Sequence, residues 1–525
     1  MSRVRAKQHH HTRRSFLKLG AAAASIGVAS ALRPARAAAP AQVPAAKPKR
    51  GGNFTAAWGD SFSTFNPYAQ RFQRIRRTLY DALACYDREM NLQPQLAEKW
   101  QFTDGGKTVT FKLREGVKYH SGREFTSADV KASLTFAAND VNTIQRPLYQ
   151  IVKQVELPDK YTAIFRLDKP NATIYDLIDT LPMIDSETIE DSAKIGVGTG
   201  PFKLDKYIPN DRIEFVAFKD YWDRGKPYLD RFVARIIPDA NAMSVNLESG
   251  AVDCITRVDF GDAVRFKGLG GKFVIDMGPS GYAIFDIGLN TKLEPFTNKK
   301  VRQAIAWSID RDRFCKTVLQ GLVAPTCLIW PPHSWAYQKD LEGKIGFDLE
   351  KARNLMKEAG VGGGFDTEIL TSRQTMPGYG PLAVILQSDL QKVGIRAKIT
   401  DIESTQYANR TMKGDIAILV HAYSKANIDP ASTLTGAKAW YPEKESGWTH
   451  FESAEYEKLR QDLATTVDRQ QRVPIARKIQ ELALDECFTI SVAQSPSIWA
   501  VGSYVKGLWY DYNDSIYAEG IWLDK

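Results

Sequence analysis

Cysteine is scarce in this chain, five in 525 residues, which excludes a disulfide-built scaffold, and the odd number leaves at least one thiol without an intrachain partner. Cys315 and Cys327 lie near enough in sequence for one local bridge, with unpaired buried thiols as the open alternative. The first cysteine, Cys85, is far beyond any N-terminal cleavage site, so no lipobox cysteine is there to carry a lipid anchor. Histidine is equally thin. Beyond the first 37 residues only His120, His333, His421 and His450 occur, and no H-x-x-x-H or C-x-x-C spacing points to a zinc site made by the protein. Long hydrophobic runs are missing too. The apolar run 19–32 falls short of the roughly 20 residues that span a bilayer, and no later segment supplies 18 uninterrupted apolar residues.

The first 37 residues also lack any acid, while holding Arg3, Arg5, Lys7, Arg13, Arg14, Lys18, Arg33 and Arg36. They account for most of the formal charge of +9, and without them the body carries +1. A near-neutral body has no electrostatic basis for binding a nucleic-acid backbone, which takes many Lys and Arg side chains acting together. The leader reads as an export signal: Thr12-Arg13-Arg14-Ser15-Phe16-Leu17-Lys18, the Ala-rich apolar run, then Ala35-Arg36-Ala37 as a small-x-small cleavage site. It resembles a twin-arginine signal, and His9 to His11 fall inside it. Residues 38–50 are an Ala/Pro/Lys linker. The chain as a whole has an ordinary globular composition, 43% hydrophobic and 25% charged, at a length that predicts about two to four domains.

The body opens with a predicted strand at 53–58 that runs into the polar loop Gly59-Asp60-Ser61. Val109, Phe111 and Leu113 alternate as on a half-buried strand after the turn Asp104-Gly105-Gly106, and Thr126-x-x-Asp129 caps a helix with Val130, Leu134 and Ala137 on one face. Thr297 and Asp310 are placed to cap two successive short helices; in an exported body of charge near +1 these are not a DNA-reading pair. Over 349–420 the pattern is helix (349–359), strand (366–371), helix (381–393), strand (395–401) and strand (415–420). Strand-helix-strand at this spacing implies parallel pairing in an α/β sheet. Ligands of such sheets sit beyond the carboxyl ends of the strands, which singles out the loops 372–380 and 421–429.

Familiar catalytic signatures are absent. Gly105-Gly106-Lys107-Thr108 lacks the earlier glycine of a P-loop, because Gln101 stands there, and Gly196-Val197-Gly198-Thr199-Gly200 has the wrong spacing for a dinucleotide loop and runs into Pro201. There is no G-x-S-x-G and no other local nucleophile signature.

Four groups of residues carry a family likeness: Leu96-Ala97-Glu98-Lys99-Trp100 with 104–130; Gly198-Thr199-Gly200-Pro201-Phe202 through Asp220-Tyr221-Trp222, 225–230 and 236–239; Asn290-Thr291 with 301–305 and 309–311; and the exported N-terminus. On these the chain resembles the extracellular solute-binding proteins, family 5, of ABC importers, which bind dipeptides, oligopeptides, nickel and opines. The likeness is dense over 51–320 and fainter to the end. It implies an α/β two-lobed periplasmic binding protein fold with a hinge between the lobes and an extra domain inserted in lobe one. Lobe one is expected at 51–85, 196–289 and 495–525, the inserted domain at 86–195 and lobe two at 290–494, with crossings near Leu289-Asn290-Thr291 and 493–495. It further implies capture of a small-molecule solute without a cofactor and delivery to ABC permease subunits at the inner membrane, by a soluble, monomeric protein in the periplasm. Rivals from other classes are an exported enzyme acting on a small solute and a sensory binding protein for a chemoreceptor.

Peptide-binding members of that family resemble one another in an acidic anchor for the α-amino group, in the pattern Asp-x-x-[Asp/Glu]-Pro. Here Asp429-Pro430 closes the pattern but Ala426 stands at the anchor position, with Lys425 beside it. A free-amine peptide is therefore disfavoured relative to an opine-like or modified peptide or a glycoside, unless Asp429 or Asp60 substitutes. The ligand-binding residues expected are Asp60, Ser61, Phe65, Tyr282, Trp330, Arg373, His421, Tyr423 and Asp429. Arg373 offers a bidentate grip on a carboxylate or phosphate, and Phe65, Tyr282, Trp330 and Trp335 offer apolar faces. Plain structural roles compete: Arg373 as a surface ion pair, Trp330 as core packing before Pro331-Pro332, His421 as a core histidine or, by another reading, a contact to a chelated metal.

Overall fold

The computed structural model describes residues 47–69, 73–143, 145–278, 283–376, 378–424, 429–442 and 447–525. The export leader and most of the linker lie outside these, as do Tyr282 and the Lys425-Ala426 pair at the amine-anchor position. No helix among the described residues is long and apolar enough to cross a membrane.

Three sheets organise the body. Phe54, Ala56 and Trp58 alternate inward along Asn53–Trp58, and this strand pairs in parallel with Arg231–Ile236 on one side and Cys254–Ile255 on the other, at the centre of a seven-stranded sheet. The strands Arg212–Ala217 and Phe202–Ile208 extend it antiparallel at one edge, and Trp499–Gly502 and Phe273–Asp276 at the other. The second sheet runs Ile395–Asp401, Phe365–Thr371, Ile418–Ser424, Ala283–Leu289, Thr489–Ser495, the first three mutually parallel as the strand-helix-strand spacing requires. Helix Tyr379–Gln391 makes the crossover, burying Leu382, Leu386 and Leu390. The third sheet, of four antiparallel strands, begins with the hairpin Ala97–Thr103 and Thr108–Leu113.

That small sheet shares one continuous core with the first large sheet, through Phe111 and Phe165 on one side and Phe215 and Phe232 on the other. The Gly198-Thr199-Gly200 motif is the seam. A Cβ at Gly198 would stand 2.1 Å from the Leu79 carbonyl oxygen and one at Gly200 would stand 2.5 Å from the Leu79 carbonyl carbon, so only glycine allows this backbone approach. His120 pins the same loop: Gly198 N–H donates to Nδ1 at 3.3 Å and Nε2 lies 2.9 Å from the Gly200 carbonyl oxygen. Burial pushes this histidine down to about 4, which keeps the ring neutral for both contacts.

Several sequence expectations shift. Asn298, not Thr297, caps the helix Lys299–Ser308, because its side chain reaches the Lys300 N–H. The strand expected at 415–420 runs as Ile418–Ser424, held on both sides by Phe365–Thr371 and Ala283–Leu289. Ala283–Leu289 itself, taken with lobe one in the sequence, hydrogen-bonds wholly within the second sheet, so the chain passes from the first large sheet to the second between Asp276 and Ala283 and returns between Ser495 and Trp499. Cys315 and Cys327 are buried free thiols, like Cys254 and Cys487, and Cys85 is a half-buried one.

Candidate solute-binding cleft

The carboxyl ends of the parallel strands in both large sheets carry charged side chains. At the first, the loop after Asn53–Trp58 presents Asp60, which accepts a hydrogen bond from Arg74 and has the Arg257 guanidinium at 3.9 Å; Ser61 is half-buried beside it. Arg257 stands two residues beyond Cys254–Ile255 with φ +54 and rests its Nε 3.6 Å from Asp514, whose side chain is buried. A bulky residue at positive φ stores strain of the kind found at ligand clamps. At the second sheet, Arg373 follows Phe365–Thr371; its N–H donates to Asp401 at 3.1 Å and its guanidinium pairs with the same carboxylate while remaining 72% exposed. Arg373 thus stands at the edge to which strand direction points in the sequence, and Asp60 at the corresponding edge of the first sheet, each paired within its own lobe.

The remaining expected residues lie elsewhere. His421 is inside a strand rather than in a loop: Nε2 is 3.1 Å from Asp286 and the ring meets Trp448 edge-on at 5.1 Å. Tyr423, two residues on and so on the same face, donates to the Ile329 carbonyl at 2.9 Å and packs edge-on against Trp440. Trp330 belongs to that same core, and Phe65 to the first-lobe core, edge-on to Tyr207. All four are buried in packed interiors, because the strand Ile418–Ser424 and the apolar neighbours of Phe65 and Trp330 are covered on both sides. Asp429 is committed twice: it caps Pro430–Gly436 by accepting from Ala431 N–H at 2.9 Å, and it forms a two-point pair with Arg472, both side chains nearly sealed from solvent. Its charge is already balanced and so is not available as a substitute amine anchor. Tyr282 lies outside the described residues.

A sizeable void touches a segment that sequence reasoning passed over. A cavity of about 1050 Å³ lies between the inserted segment, represented by Leu148, Asn171 and Asp176, and the second-sheet segment, represented by Ser432, Tyr441 and Arg460. Its size suits a small organic ligand of a few residues or rings. Asp176 sits on helix Ile174–Thr180 and accepts from Tyr86 OH at 2.9 Å, from Asp429 N–H at 3.3 Å and from Ser432 Oγ. No lysine or arginine pairs with it among the described residues; burial, and next the negative Asp429, push its carboxyl up to about 7. One signal was available in the sequence: Ile174-Tyr175-Asp176-Leu177-Ile178-Asp179 places two acids three apart in an otherwise apolar helix turn. No three His, Cys, Asp or Glu side chains converge on a metal position among the described residues.

Comparison with known proteins agrees with this architecture. The chain is 27% identical to heme-binding protein A of Haemophilus influenzae over 79% of its own length and 81% of the relative's, and 29% identical to the dipeptide-binding protein of Escherichia coli over 79% and 83%. Its fold superposes on the ABC transporter-associated periplasmic binding protein DppA of Helicobacter pylori, solved with the peptide STSA, with a TM-score of 0.71 at 25% identity, covering 91% of this chain and 99% of that one. The family model described as bacterial extracellular solute-binding proteins, family 5 Middle, matches residues 91–443. A body of two large sheets joined by two crossings, with a small sheet inserted in the first, is therefore the two-lobed periplasmic binding protein fold, and the chain belongs to the bacterial extracellular solute-binding proteins of family 5.

Proposed function

We propose that this chain is the substrate-binding subunit of an ABC importer, exported to the periplasm, which takes up a small organic solute between its lobes and passes it unchanged to a membrane permease. The observation that carries this reading is the cavity of about 1050 Å³ walled by two bodies of the fold. A solute touching both walls favours the closed arrangement by its differential affinity for it, and hinge bending at the two crossings between the large sheets supplies the motion. The solute is peptide-like, opine-like or a glycoside. With Ala426 at the family's amine-anchor position and Asp429 neutralised by Arg472, it is not gripped through a free amine at either place. Arg373 is not part of that cavity's lining; at the carboxyl end of Phe365–Thr371 its exposed guanidinium, paired with Asp401 alone among the described residues, is a separate candidate partner for an anionic group of the solute. The basic leader with Arg13-Arg14 supports export by the twin-arginine machinery, which carries folded chains, and the working form is a monomer.

The test is a thermal-shift screen of tripeptides, N-acetylated tripeptides, opines and small glycosides. A hit should raise Tm, shrink the radius of gyration in solution scattering, and be recovered chemically intact. Conversion of the hit to a product, or stabilisation without compaction, overturns the reading.

A further inference from the structure

We propose that Asp176 is a proton-operated clasp between the inserted domain and the second lobe, so that the two bodies hold together in acid and part as the pH rises. The proposal rests on the two-lobed reading for what moves, but not on the identity of any solute.

The contact is built from both sides. From the inserted domain come Asp176 and, through the strand Ala84–Tyr86, the Tyr86 hydroxyl; from the second lobe come Ser432 Oγ and the Asp429 N–H, both donating to the Asp176 carboxyl. Two further links flank it, Ala172 N–H to the Ala464 carbonyl at 2.7 Å and Tyr175 OH to the Val467 carbonyl at 3.0 Å. Neither of these carries charge, and a further link, from the Arg469 guanidinium to Asn91 Oδ1 at 3.3 Å, is exposed and brings no titratable group from the inserted domain. Asp176 is therefore the titratable side chain of the inserted domain on which the contact turns.

Its electrostatic surroundings are lopsided. Facing it are Asp429 and Arg472 from the second lobe, Tyr86 from its strand, Asp179 one turn along its own helix, Tyr512 from the C-terminal segment, and Lys169 and Arg460 on the cavity wall. Arg472 spends both of its terminal nitrogens on Asp429, and Asp179 is held by Arg77 and Tyr512. Two sealed carboxyls thus meet across the lobe boundary with one arginine between them. Burial first, and Asp429 second, hold the Asp176 proton on to about pH 7 while the bodies are in contact. Once they part, water reaches the group and its affinity for the proton falls to the ordinary carboxylate range. The closed arrangement therefore binds the extra proton, and by linkage raising the pH from the ordinary carboxylate range to about 7 drives the bodies apart.

Solution scattering of the full chain without added solute, from the ordinary carboxylate range to pH 8.5, reads this directly. The radius of gyration should grow with a midpoint between the ordinary carboxylate range and about pH 7 and level off above that, and in Asp176→Asn it should stay at the compact value throughout, since the amide keeps the shape and never ionises. A constant radius in the unaltered chain, or the same expansion in both proteins, overturns the proposal. Hydrogen exchange of the helix Pro430–Gly436 in the unaltered chain, corrected for intrinsic pH dependence, gives a second readout that needs no variant: protection should fall across the same midpoint, and unchanged protection counts against the clasp. Failure here leaves solute-driven compaction to be judged by its own screen.

Discussion

Acidic side chains meet two opposite fates in this protein. At the edges of the two large sheets, Asp60 and Asp401 stay in reach of water with Arg74, Arg257 and Arg373 alongside. In the interior, Asp429, Asp176 and Asp81 are sealed, and what accompanies each differs: Asp429 has an arginine, whereas among the described residues Asp176 and Asp81 have neutral donors alone. In water an ion pair contributes about 0–1 kcal/mol, because solvent serves either partner nearly as well. Sealed from water, a carboxylate needs a cation or a proton, and losing its partner is costly. The interior acids are thus fixed parts of the fold whose protonation matters, while the edge pairs contribute little to stability and can be broken at small cost.

Substitutions on both sides of that contrast sharpen it. The largest effect is expected at Arg472, which grips Asp429 at two points and also donates to the Leu463 carbonyl. Arg472→Met leaves a buried carboxylate without its cation and should cost about 3–5 kcal/mol in urea unfolding at pH 7. Adding Asp429→Asn should recover part of that loss, because the stranded charge goes with it. A cost under about 1 kcal/mol would place this pair with the surface pairs and break the comparison.

Asp81 comes next. Its carboxyl accepts from Trp222 Nε1 at 2.8 Å and from the hydroxyls of Tyr221 and Thr199 at 3.2 Å, and burial pushes it up to about 7. The folded chain then keeps a proton that the unfolded chain releases near 3.8, so this group's stabilising share is whole below that pH and is lost as pH rises through about 7. Asp81→Asn, which cannot ionise, should gain on the unaltered chain between pH 4 and pH 8 by something on the order of 3 kcal/mol. Parallel stability curves for the two proteins would show that the carboxyl is ionised in the fold at neutral pH.

The same contrast explains what could be read from the sequence. Local signals carried the fold well: the parallel unit from Phe365–Thr371 to Ile395–Asp401, the cap Thr126-x-x-Asp129 with its Asp129 side chain bonded to the Thr126 N–H at 2.8 Å, and the Asp104 turn of the hairpin all reflect short-range backbone chemistry. The strand Ile418–Ser424 begins later than its sequence pattern implies, because its limits are set by pairing with Ala283–Leu289, a contact across more than a hundred residues that leaves no local mark. For the same reason His421 and Tyr423 read as loop residues, although their strand neighbours bury them. The carboxyl-end rule points to the loop that carries Arg373 because the direction of Phe365–Thr371 is itself a local consequence of the crossover, whereas the parallel partners of Asn53–Trp58, the strand before Asp60, come from far along the chain. It has no means to find Asp176, which faces Ser432 only because the inserted domain folds against a segment about 250 residues away.

The smallest stability effect is expected at Arg373, the residue proposed to meet an anionic solute. Arg373 is 72% exposed and its pair with Asp401 is reinforced only by the Arg373 N–H, so Arg373→Ala should change unfolding stability by less than about 1 kcal/mol. If the guanidinium meets an anionic group of the solute in the closed cleft, the same change should weaken solute binding by at least about tenfold, which corresponds to about 1.4 kcal/mol or more of lost contact at a desolvated site. Arg373→Lys should recover charge but not the two-point geometry, and so fall between. Calorimetric titration beside urea unfolding separates the two quantities. A variant that binds as well as the unaltered chain would mean that Arg373 belongs with the ordinary surface pairs, and that the solute's anionic end, if it has one, is met by Arg257 on the opposite edge, where a strained backbone already holds a guanidinium between Asp60 and Asp514.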